Sequence, residues 1–236
     1  MNKILLIRNL MLIKRNYLKY LIILMITPMI LYLFNILPYS DQSTKIWSSI
    51  GLWIASCIIS SYIYIYQNIS SYGMKKRIFL MNSSVSTLSI IRSNIVICLI
   101  LAFFQLLISY MLTYSLNNVS ISLINFMLLV VNILPIILFF ISIALLITLF
   151  DSLNMGLFIC SLIALSIIQF FYLYPAIKEL GYDHIPPIGV LLNCGALFNN
   201  QSIQIAPLIL MYILSLSFIF TSLMISNNII RSRNEE

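Results

Sequence analysis

The chain has 236 residues, of which 61% are hydrophobic and only 8% charged. A soluble globular domain usually carries about 25% charged residues, and a chain this poor in charge cannot cover itself in water, whereas lipid can solvate its apolar surface; a soluble enzyme is excluded. The formal net charge of +7 would point to nucleic acid in a soluble protein, but here the basic residues stand at the ends of apolar runs. The charge therefore reports topology, and no nucleic-acid partner is expected.

The first segment, Met1–Lys19, mixes Ile, Leu and Met with Lys, Arg and Asn. Its charges run on to Lys19 with no small-residue cleavage site after them, so it does not read as a cleavable signal. A helix lying at the inner membrane surface is expected, with Lys and Arg drawn to anionic lipid; the alternative is a short disordered basic tail. A helical span needs about 20 mostly apolar residues, and six are predicted. These are Tyr20–Leu37 with a kink at Pro28, Trp47–Tyr66, Ile95–Leu116, Ile121–Phe150 with a tilt or a break near Pro135, Met155–Tyr174, and Pro207–Ile225. The fold class is all-α, a single polytopic membrane domain over 1–236. Its inner loop is 67–94 and its outer loop 175–206.

Placing the N-terminus inside puts 11 of the 13 basic residues at inner positions and leaves only Lys45 and Lys178 outside. Asp41, Glu179 and Asp183 fall outside. The even span count and this asymmetry support each other.

The predicted spans contain no Lys, Arg, Asp, Glu or His. Ion-coupled transporters rely on such groups as relays and binding sites, and charged channel filters need them too. Energy must then enter from elsewhere, yet there is no GxxxxGK[ST] phosphate loop, and none of the six glycines precedes a lysine. HExxH and GxSxG are absent, and His184 is the only histidine, read as a loop residue outside the membrane. An intramembrane enzyme would need a nucleophile or a carboxylate pair within the spans, and no carboxylate is there. The four cysteines, Cys57, Cys98, Cys160 and Cys194, show no CxxC or metal spacing and read as small packed side chains.

Two loops carry information. The inner loop includes Gly73, Lys75, Lys76, Arg77, Ile78, Phe79, Leu80, Met81 and, after an Asn82-Ser83-Ser84 turn, Arg92. It parses as a Gly break, a short helix with basic and apolar faces, a turn that caps a second helix, and entry into the third span. Such an element suits docking into a partner's groove; the plainer reading is an interfacial loop with a topogenic basic cluster. In the outer segment, Pro186-Pro187 is expected to stop any helix. Gly189–Phe198 is apolar but too short to span, so it reads as a re-entrant or surface helix, or else as an ordinary packed loop. Tyr62, Tyr64 and Tyr66 are explained by an aromatic belt. Ser60, Gln105, Asn132 and Gln169 are expected to bond between helices.

This order of elements resembles the permease subunits of type-2 ABC exporters: an interfacial first helix, six spans, a helical inner loop after the second, and a re-entrant segment before the last. Within that superfamily the chain is most similar to heme exporter protein B of cytochrome c maturation. Gly51-Leu52-Trp53-Ile54-Ala55 is like its opening to span two, Gly73 falls on its loop glycine, Arg92 falls on its loop-terminal Lys, and Asp151–Gly156 sits at its turn between spans four and five. The chain departs from the pattern at Tyr72 where an acid is usual, at Lys75 and Lys76 where Leu-Glu is usual, and at Asp151 where a base is usual.

The resemblance implies a non-catalytic subunit without a cofactor of its own. A separate ATP-binding cassette subunit would use the ATP and dock on Gly73, Lys75, Lys76, Arg77, Phe79 and Arg92. A second copy of the chain or a heme-handling membrane partner would complete the assembly, heme being handled by the complex. The expected location is a bacterial inner membrane or a mitochondrial inner membrane, with both termini on the cytoplasmic or matrix side. Export of a peptide or lipid-linked cargo, and a membrane scaffold or assembly factor without an ATPase, are the alternatives.

Overall fold

A computed structural model describes residues 3–38, 41–70, 87–118, 121–149, 153–198 and 201–235. Every regular element among them is helical. In chain order these are α1 (Lys3–Arg15), α2 (Tyr17–Asn35), α3 (Gln42–Ser70), α4 (Thr87–Asn117), α5 (Leu123–Leu149), α6 (Leu153–Tyr172), α7 (Tyr174–Glu179), a 3-10 turn at Tyr182–His184, α8 (Pro186–Phe198) and α9 (Ile205–Glu235). Helices suit these long uncharged runs, because in lipid each backbone N–H and C=O must find a partner inside the protein and a helix pairs nearly all of them within one segment. Five helices, α2, α3, α4, α5 and α9, are long and apolar enough to cross a membrane. The helix at the predicted fifth span, α6, has 20 residues, with its apolar stretch at Phe158–Tyr172.

Helix α3 is the hub. Trp53, Tyr62, Tyr64 and six aliphatic side chains from Ile50 to Ile65 are all but fully buried on it. It lies antiparallel to α6, with Gly51 against Ile168 and Gly156 against Tyr62. It is also antiparallel to α4, where Trp53 meets Thr113 and Ser61 meets Cys98. Helix α2 runs parallel to α4, joined to it near its end by Tyr32 Oη donating to Asn117 Oδ1 at 2.7 Å. Helices α5 and α9 run parallel, with Val131 beside Tyr212 and Phe139 beside Phe218. By contrast the outward faces of α2 and α9 are lined with exposed Leu, Ile, Met and Phe, as lipid-facing surfaces require.

Helix α5 runs unbroken through Pro135, which removes the break and leaves the tilt. Two local expectations change. Pro186-Pro187 opens α8 instead of stopping a helix, because the first helical position has no N–H partner to lose and the ring presets φ. Tyr62 and Tyr64 are 1% and 2% exposed; they face the bundle and do not form a belt at the headgroups. Tyr62 stacks near Tyr66, and Tyr64 meets Tyr20 with its ring tilted by 50°.

Candidate functional site

At the end of the bundle that carries α1, one buried side chain ties two elements together. Asn9 is 4% exposed, and its Nδ2 donates to Ser93 Oγ and to Asn94 Oδ1, both at 3.1 Å. Ser93 and Asn94 are buried, while Arg92, the residue before them, is exposed in the second turn of α4. Pulling α1 away would strip both acceptors from the buried Asn9 amide, which is costly in an apolar setting, so α1 is held to the start of α4; Asn94 Nδ2 is buried without a partner. Arg8, Lys14, Arg15 and Lys19 are exposed at this same end. Ile7, Leu10 and Met11 are exposed beside them, a mixed basic and apolar surface of the kind expected for α1. Gly73, Lys75, Lys76, Arg77 and Phe79 lie outside the described residues, as do the expected short helix and the turn at Asn82–Ser84.

The middle of the bundle holds a polar seam between α2, α3 and α4. Trp53 Nε1 donates to Thr113 Oγ1 at 3.0 Å. Ser56 and Ser109 share a hydroxyl bond of 2.8 Å, and Gln105 Nε2 reaches Ser109 Oγ at 3.3 Å. The thiol of Cys57 donates to Ala102 O, and that of Cys98 to Ser61 O. Gln105 also donates to Leu24 O of α2, and so bonds between helices as expected. Ser60 and Asn132 do not: each returns its side chain to its own helix, at Cys57 O and Leu128 O, and Gln169 is exposed. All four cysteines are buried thiols. Sequence reading missed Ser56, Ser109 and Thr113, whose signal was their common facing toward Trp53 at helical spacing.

The opposite end is closed by a clasp around α8. Buried Asn193 pairs with the backbone of Gln204 in both directions, Nδ2 donating to Gln204 O at 2.7 Å and Oδ1 accepting from Gln204 N at 2.8 Å. Asn125 Nδ2 reaches back to Leu197 O at 3.0 Å, covering a carbonyl in the last turn of α8. Tyr174 stacks on Trp47 at 4.4 Å and lies against Gly195, where a side chain would meet its ring. Residues Gly189, Val190 and Leu192 through Leu197 are buried, so α8 is a short apolar helix packed into the bundle before the last long helix. Asn193→Ala should loosen this turn by about 1–3 kcal/mol, because the Gln204 peptide then loses both partners. Thermal unfolding in mild detergent measures it.

Outside the apolar region, Gln204 Nε2 donates to Asp183 Oδ2 at 2.5 Å and Lys178 Nζ to Gln201 Oε1 at 2.6 Å. The hydrogen bond from Gln204 is the main cause holding the Asp183 carboxyl below its ordinary 3.8. A lowered folded pKa gives a contribution fully present above about 3.8 and lost as pH falls through the lower folded value. Asp183→Asn should therefore flatten the acid limb of a stability–pH curve below that point. Gly181, with φ 69°, makes the left-handed turn into this corner. His184 is exposed, its Nδ1 3.2 Å from Gly181 O.

Among the described residues no three His, Cys, Asp or Glu converge as a metal site. No family model, curated protein or solved structure matches the chain.

Proposed function

We propose that the chain is the transmembrane permease subunit of an ATP-driven exporter of the type-2 ABC kind. It crosses the membrane six times, with both termini on the cytoplasmic or matrix face. The observation that carries this reading is the tie from α1 through Asn9 to Ser93 and Asn94, next to Arg92. It gives a partner that pulls on the 73–92 loop a firm grip on α4 and α1 together. The alternating directions of α2, α3, α4, α5 and α6, with α9 parallel to α5, support six passes. The absence of ionisable residues from the predicted spans supports energy arriving from outside the chain. The ATPase would dock on Gly73, Lys75, Lys76, Arg77, Phe79 and Arg92, and a second copy or another membrane subunit would complete the path. Heme export in cytochrome c maturation is the cargo reading that the resemblance favours.

The test is site-specific. A photo-crosslinking amino acid at position 92, activated in native membranes, should capture a nucleotide-binding subunit. Capture of lipid alone at that position, under conditions where other transporters crosslink to their ATPases, would count against the docking site.

A further inference from the structure

Two long helices contain proline in their interiors, Pro28 in α2 and Pro135 in α5. A proline has no N–H, so it frees the carbonyl four residues before it. For Pro28 that carbonyl is Leu24 O, and for Pro135 it is Val131 O. In a bilayer a freed carbonyl must find a donor. Each has found one on a different helix. Gln105 Nε2 of α4 donates to Leu24 O at 3.0 Å, and Tyr212 Oη of α9 donates to Val131 O at 2.7 Å. Two independent prolines with the same solution, each at the i−4 position, mark a repeated device.

We propose that Pro28 and Pro135 are hinges, each latched in the present conformation by a single side-chain donor from a neighbouring helix: Gln105 for α2 and Tyr212 for α5. The latch is polar and local, so releasing one bond frees the helix to bend where its own hydrogen-bond ladder is already interrupted. Gln105 has a second acceptor in Ser109 Oγ at 3.3 Å, so its amide keeps a partner when the Leu24 bond opens. Latch and hinge act together: the Gln105 bond matters to α2 because residue 28 is proline. This device does not depend on the transport reading.

That dependence gives the test. Pro28→Ala restores an N–H that can close on Leu24 O and makes the Gln105 bond redundant. Gln105→Leu should lower the folding equilibrium constant in mild detergent about three- to tenfold more in the parent chain than in the Pro28→Ala background. Tyr212→Phe should show the same coupling to Pro135→Ala. The crossed pair, Pro28→Ala with Tyr212→Phe, should combine independently to within about twofold. Spin labels at Ile22→Cys and Phe104→Cys, both exposed positions, report motion directly, since the four native thiols are buried. Gln105→Leu should add a longer distance population, and adding Pro28→Ala should remove it. The P28A/Q105L protein keeps its helical ladder, so it separates loss of the latch from loss of the fold. Independent effects in the matched pairs, or a distance distribution that ignores Gln105, would overturn the proposal.

Discussion

Gly51→Leu is expected to prevent α3 and α6 from packing and to leave little folded protein. A Cβ at residue 51 would sit 2.8 Å from Ile168 Cα and 3.1 Å from Ile167 O, and backbone atoms of a facing helix cannot rotate away. In membranes small residues set how closely helices approach. Even Gly51→Ala should cost about 1–3 kcal/mol through overpacking, offset by roughly 1 kcal/mol of improved helix propensity. Gly181 is the control. A Cβ there meets nothing within 4 Å, although φ is 69°, so Gly181→Ala should cost only the backbone strain of about 1–2 kcal/mol. Thermal unfolding of the purified variants in one detergent ranks them. A G51L protein as stable as the parent would mean that α3 and α6 do not meet at this position.

On the proposed permease reading, reversing Lys75, Lys76 and Arg77 together to Glu should abolish association with the proposed ATPase while leaving membrane insertion intact. If the basic cluster docks on an acidic surface of that partner, the reversal opposes like charges, which cost several kcal/mol, so association should fall more than about a hundredfold. Of the 11 basic residues that the sequence reading puts on the inner side, eight would remain after removing three, enough to hold the proposed topology. The parent complex should also weaken as salt rises, because exposed charges are screened over about 8–10 Å at ordinary ionic strength. Association is read by pull-down from solubilised membranes and insertion by protease accessibility of the termini. Unchanged association would place docking elsewhere on the chain.

The helical architecture was legible because the bilayer permits so few alternatives. Long apolar runs without charge had to be helices, and α2, α3, α4, α5 and α9 lie where those runs lie. Which face of a helix turns inward was not legible, since nearly every face is apolar. That is why the sequence alone points Tyr62 and Tyr64 to the headgroups and Ser60 and Asn132 to neighbouring helices. A serine or asparagine in a helix can satisfy itself on the carbonyl one turn back, and no periodicity in an aliphatic run reveals which it will do. Asn9 was hidden for the opposite reason: in a basic segment an asparagine looks solvated, and only its partners 84 and 85 residues away give it a role. The prolines could be found by eye, but their donors Gln105 and Tyr212 required the packing.

The permease assignment stands or falls on what accompanies the tagged chain when it is recovered from its native membrane in gentle detergent and its companions are identified by mass spectrometry. A nucleotide-binding subunit should be present in stoichiometric amounts, joined by heme-handling membrane proteins if the cargo is heme. Reproducible recovery without any ATPase, under conditions that keep other ATP-driven exporters whole, would contradict the permease assignment and leave a membrane scaffold in its place.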